Sequence, residues 1–122
     1  MINNSLYQKI YDEISIFLSS KYDELVIYLE YGEASYSFCF YEKTGKKCVK
    51  CFDIPGINEE ALMAAFSNID VLVSSERNKL KDKWSNMTIV ISSDGDMNAI
   101  VDYTDLSEGS YKFKKEWKKK YL

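Results

Sequence analysis

Hydrophobic residues recur along this chain with two periods, and each change of period marks a new element. Leu6, Ile10, Ile14, Phe17 and Leu18 fall three or four apart, the spacing of one face of an α-helix, which Asn3, Asn4 or Ser5 can cap and which is expected to run to about Ser20. The pattern then becomes strand-like. Residues 25–31 are apolar and rich in β-formers, and Gly32-Glu33 supplies a turn. Residues 34–41 alternate Tyr36, Phe38 and Phe40 against Ser35, Ser37, Cys39 and Tyr41. Residues 43–46 form a second turn, and residues 47–54 read as a third strand. A four-residue loop pairing Glu42 with Lys47 sets Phe40 opposite Val49 and Phe38 opposite Cys51, all on one face. The other face, with Ser37, Cys39, Tyr41, Lys50 and Phe52, is half polar.

Pro55-Gly56 ends that strand, and Asn58 with Glu59 and Glu60 after it is a helix start. Leu62, Phe66, Ile69 and Val73 form its buried stripe, with the helix continuing toward Leu80. Residues 87–92 and 97–103 are two further strands. A two-residue Asp94-Gly95 turn between them would scatter the apolar side chains over both faces. A three-residue loop, Ser93-Asp94-Gly95 with Gly95 left-handed, pairs Ile91 with Met97, Ile89 with Ala99 and Met87 with Val101, and is the coherent choice. The chain closes on Phe113, Trp117 and Tyr121, spaced four apart on a lysine-rich helix whose aromatic stripe should dock on the body. The order α-β-β-β-α-β-β-α, with its hairpins, predicts an α+β fold: a five-stranded antiparallel sheet with three packed helices, in one domain over residues 1–122. Phe38, Phe40, Val49, Ile89, Ile91 and Val101 should be buried.

Charge is unevenly spread. Residues 1–110 carry 10 basic and 18 acidic groups, while residues 111–122 carry 6 basic and 1 acidic, for a net charge of −3. An acidic body repels nucleic acid and attracts basic surfaces, so the short basic helix is a weak nucleic-acid contact and none is expected. No apolar run is long enough to span a bilayer and no segment has the pattern of a signal peptide, which points to a cytoplasmic protein without a membrane partner. The odd set Cys39, Cys48 and Cys51 fits a reducing compartment. Cys48 and Cys51, three apart on a strand, should face opposite ways and cannot share a metal, so the thiols read as structural. The chain has no histidine, which removes the commonest general base and metal ligand. Phosphate-binding glycine loops and zinc-protease motifs are also lacking. Asp94-Gly95-Asp96 lacks the further oxygen ligands of a calcium loop. Acidic pairs such as Glu30 with Glu33 have no nucleophile placed beside them. A binding protein is expected, not an enzyme, with no cofactor and no metal.

Several runs carry a family resemblance. Asp102-Tyr103-Thr104-Asp105-Leu106, Ser110-Tyr111 and the closing Trp117-Lys118-Lys119-Lys120-Tyr121-Leu122 are joined by Leu6-Tyr7-Gln8-Lys9-Ile10, Val26-Ile27-Tyr28-Leu29-Glu30 and Trp84-Ser85-Asn86-Met87-Thr88. In that order, over nearly the whole chain, they resemble the YezG-like immunity (antitoxin) proteins of Gram-positive bacteria. The resemblance implies a cytoplasmic antitoxin whose partner is a cognate secreted polymorphic toxin, often a nuclease exported by a type VII (ESX-like) system. The different-class alternative is a secretion adaptor that escorts the toxin without inhibiting it. A nuclease presents a basic cleft, so the candidate partner-binding residues are acidic side chains at turns and strand ends: Glu30 and Glu33, Asp94 and Asp96, Asp102 and Asp105.

Overall fold

A computed structural model of the protein describes residues 4–18, 21–32, 35–106 and 109–122. Helix α1 (Asn4–Ile14) runs into a 3-10 turn (Ser15–Phe17). Next come strands β1 (Glu24–Tyr31), β2 (Tyr36–Thr44) and β3 (Lys47–Lys50), then a second 3-10 turn (Cys51–Asp53). Helix α2 (Glu59–Arg77), strands β4 (Asn86–Ser92) and β5 (Met97–Asp102) and helix α3 (Tyr111–Tyr121) complete the chain. The strands form one five-stranded sheet in the order β3-β2-β1-β4-β5, every pairing antiparallel. The α+β class and the element order are those the hydrophobic pattern predicts.

Strand β1 is central because both its faces are apolar. Leu25, Val26, Ile27, Tyr28 and Leu29 are all buried in succession, the mark of a strand covered on two sides. On one face Leu25, Ile27 and Leu29 lie beside Phe40 and Phe38 of β2 and beside Ile91, Ile89 and Met87 of β4. Helix α2 covers this face, its Phe66 meeting Phe38 and Phe40 edge-on at ring distances of 6.0 and 6.4 Å, and α1 packs alongside α2. Leu6, Ile10 and Ile14 of α1 and Leu62, Phe66, Ile69 and Val73 of α2 are the buried stripes. Asn58 caps α2, its side chain accepting the Ala61 N–H at 3.1 Å. Arg77 closes that helix. Its guanidinium stacks on Tyr31 and Trp84 at 4.8 and 5.4 Å, and its Nε donates to the Trp84 carbonyl at 2.7 Å.

On the other face Val26 and Tyr28 lie beside Tyr41 and Cys39 of β2 and beside Val90 and Thr88 of β4. Helix α3 covers part of it. Trp117 is 5% exposed, its ring 4.8 Å from Tyr28 and 5.8 Å from Tyr41, and its Nε1 donates to Thr88 Oγ1 at 2.8 Å. Lys43 Nζ of β2 donates to the Tyr121 carbonyl at 2.8 Å, placing a cation at the negative end of the helix. The sheet therefore has helices on both faces.

The β4–β5 register is the expected one, Ile91 with Met97, Ile89 with Ala99 and Met87 with Val101, and Gly95 takes φ 93° in the loop. The β2–β3 register is not. Thr44 pairs with Lys47 and Glu42 with Val49, so the loop is two residues, Gly45-Lys46, with Gly45 at φ 60°. The shift is two residues, which preserves side-chain parity, so Val49 keeps the face of Phe38 and Phe40. Strand β2 is correspondingly longer than expected. Strand β3 stops at Lys50, and the 3-10 turn redirects the chain there. Cys51 turns to Cys39 instead of Phe38, and Phe52 packs on Phe66 of α2 at 6.3 Å instead of joining the half-polar face. Phe38, Phe40, Ile89 and Ile91 are buried as expected, but Val49 and Val101 are only half-buried because β3 and β5 are the sheet edges. Helix α2 ends at Arg77, short of Leu80. Helix α1 ends at Ile14 and its 3-10 continuation at Phe17, with Leu18 already extended, so the helix stops short of the expected Ser20. The capping role read for Asn3 lies outside the described residues.

If Trp117 anchors α3, Trp117→Ala should cost about 3–5 kcal/mol of stability, the range for emptying a buried aromatic site. Truncation after Leu106 should cost at least as much. Urea unfolding measures both, and a truncated chain with the full-length midpoint would refute the docking.

Candidate partner-binding surface

Strand order converts separate positions into one row. Glu30 of β1 lies beside Asn86 of β4, and Asn86 beside Asp102 of β5, all on the face that α3 partly covers. The adjoining row is Tyr28, Thr88 and Ile100. Glu30 accepts the Tyr28 hydroxyl at 2.7 Å. Burial first, and this carboxylate second, push the Tyr28 phenol well above its ordinary value, so it stays a donor. Asn86, buried between the two acids, donates from Nδ2 to Ser85 Oγ at 3.2 Å and to Asp102 Oδ1 at 3.5 Å. Asp102 Oδ1 also accepts the Thr104 N–H at 2.7 Å. Hydrogen bonds from Thr104 hold the Asp102 carboxyl below its ordinary value, with Asn86 and the Lys120 charge adding to the effect and burial opposing it. The row therefore presents two fixed carboxylates at the end of a sheet.

Between this row and α3 runs an open groove of about 200 Å³. Its sheet wall includes Asn86, Thr88, Ile100 and Asp102, and its helix wall Phe113, Trp117 and Lys120. Ile100 is 46% exposed in it. An apolar floor with charged rims suits a protein side chain better than a small ion. Among the described residues no group of three or more histidine, cysteine or acidic side chains could hold a metal.

The six acidic candidates do not form one patch. Glu30 and Asp102 share the row. Asp105 lies exposed just beyond the same end of β5. Asp94 and Asp96 sit in the β4–β5 loop at the opposite end of β4, roughly 20 Å away at about 3.3 Å per strand residue. Asp94 is bound up in its own turn: it accepts from Ser92 Oγ and from the Asp96 N–H, and the Ser92 hydrogen bond chiefly lowers its pKa. Glu33 lies outside the described residues. Sequence reasoning missed Asn86 and Ile100 as parts of this surface. Their signal, a polar and an apolar residue on the less hydrophobic face of paired strands, becomes readable only with the strand order.

The sequence profile of the family described as "Immunity protein YezG-like" matches residues 3–122. The chain belongs to the YezG-like immunity protein family. None of the curated proteins compared with the chain matches it. Membership in an immunity family makes a toxin the partner to consider, and the groove beside α3 is where this YezG-like chain combines fixed charge, exposed apolar surface and a concave shape.

The lowered Asp102 pKa has a consequence for acid stability. Its folded-state value lies below the ordinary 3.8, so the carboxylate contributes stability that is present above the unfolded value and lost as pH falls through the folded one. Asp102→Asn should therefore flatten the fall in urea midpoint below about pH 4 while changing its neutral-pH shape little. Identical acid limbs in the two proteins would contradict this.

Proposed function

We propose that the chain is a cytoplasmic antitoxin that binds and neutralises a cognate secreted polymorphic toxin, and that the toxin is a nuclease exported by a type VII (ESX-like) system. The observation that carries this reading is the immunity-family match over residues 3–122. Charge supports the nuclease part. Residues 1–110 carry 18 acidic against 10 basic groups, and a nuclease must present positive charge to phosphate. In this reading Glu30 and Asp102 face the toxin's basic cleft, and Ile100 with the α3 aromatics supplies the apolar centre of the contact. The protein acts by occupying a surface, not by catalysis. It has no histidine, the commonest general base.

Capture of partners from producing cells identifies the toxin, and co-expression of the toxin domain with this chain then separates neutralisation from mere escort. An antitoxin restores growth; a secretion adaptor forms the complex and leaves the toxin lethal. Within the complex, reversing Glu30 and Asp102 together to lysine should slow association roughly tenfold at low salt, with less effect at high salt. Reversing Asp94 and Asp96 should change it little. Wild-type rates and salt dependence in the folded Glu30/Asp102 variant would remove the acidic row from the interface.

A further inference from the structure

The β2–β3 hairpin ends in a feature that toxin recognition does not use. Cys39 of β2 and Cys51 of the second 3-10 turn are buried, 4% and 0% exposed, with their Sγ atoms 3.4 Å apart. Both are free thiols, as is the exposed Cys48 on β3. The two sulfurs are already in contact, and closing them to the roughly 2.05 Å of a disulfide needs side-chain rotation and backbone adjustment. The segment that must adjust is the three-residue turn that follows the four-residue edge strand β3.

We propose that Cys39 and Cys51 are a hydroperoxide-responsive thiol pair that closes an intramolecular disulfide, fastening the 3-10 turn to β2. Cys39 is the attacking group. The hydrogen bond from the Cys51 thiol, aided by the Tyr41 hydroxyl and opposed by burial, lowers the Cys39 pKa and so favours its thiolate. Cys51 is pushed up, first by its hydrogen bond to Cys39 and then by burial, and keeps its proton. The Cys39 thiolate attacks one peroxide oxygen. An S–O bond forms, the O–O bond breaks, and the departing hydroxide takes a proton to become water. Cys51 sulfur then attacks the Cys39 sulfenic acid: the S–S bond forms, the S–O bond breaks, and the leaving hydroxide takes the Cys51 proton as a second water. Each sulfur loses one electron and the peroxide gains two. The cross-link encloses the whole β2–β3 hairpin. It also holds Phe52 in place against Phe66 of α2, because Phe52 is the next residue after Cys51.

The test treats the folded full chain with hydrogen peroxide, blocks remaining thiols with a maleimide under denaturing conditions, and maps the peptides by mass. The expected product is 2 Da lighter, carries a single blocked thiol at Cys48 and contains a peptide joined through Cys39 and Cys51. It reverts to three blocked thiols after a dithiol reductant, and before reduction it melts several degrees higher than the reduced chain. Cys48→Ser should behave like the unaltered chain, and Cys51→Ser should instead accumulate oxygen adducts on Cys39. Peptide mapping of the unaltered chain does not depend on how the variants fold. Three free thiols after treatment, dimers through Cys48 with Cys39 and Cys51 still reduced, or oxygen adducts on Cys39 without the joined peptide would each overturn the proposal.

Discussion

The indole of Trp117 joins the last helix to the sheet, and the candidate surface depends on that join. The face that helix covers is mixed, with Val26, Tyr28 and Tyr41 beside Thr88, Asn86 and two carboxylates. Trp117 meets both kinds of surface at once, its ring against Tyr28 and Tyr41 and its Nε1–H to Thr88. Thr88 is itself buried, so each partner satisfies the other's hydrogen bond, and removing either leaves a buried polar group unmatched. Lys43 at the Tyr121 carbonyl and Lys114 over the Tyr28 ring at 5.1 Å add charge contacts at the helix edges. Of the closing helix's own lysines, Lys114 lies over the Tyr28 ring and the charge of Lys120 reaches Asp102.

The architecture derives from one unusual strand. With β1 buried on both faces, the sheet needs cover on both sides. The helix pair α1/α2 supplies it against the aliphatic and phenylalanine face, and α3 against the mixed face. The mixed face is left partly open, and the open part is where the groove lies.

Legibility in the sequence divides along physical lines. The β4–β5 register could be read because the competing two-residue turn would have scattered the apolar side chains of the two strands over both faces. The β2–β3 register could not, because the true pairing differs from the expected one by two residues and leaves every side chain on its expected face; hydrophobic pattern carries no information about such a shift. The departure of Cys51 and Phe52 from the strand was hidden for a related reason, since alternation continues through a 3-10 turn only in appearance. The aromatic stripe of α3 was plain at helical spacing, whereas its acceptor, Thr88, resembles any strand threonine. Acidic side chains could be singled out by type, but Glu30 and Asp102 meet only because β1 and β5 flank β4. Asp94 and Asp96 fall at the far end for the same reason.

Under the proposed function, the face beside α3 meets the toxin. The most direct measurement is amide hydrogen exchange on the chain alone and in complex with the captured toxin domain. If that face is the interface, exchange slows in β5, in the segment from Asp102 to Leu106 and in α3, with α1 and the outer side of α2 unchanged. Slowing confined to α1 and α2, with β5 and α3 exchanging as in the free chain, would contradict it.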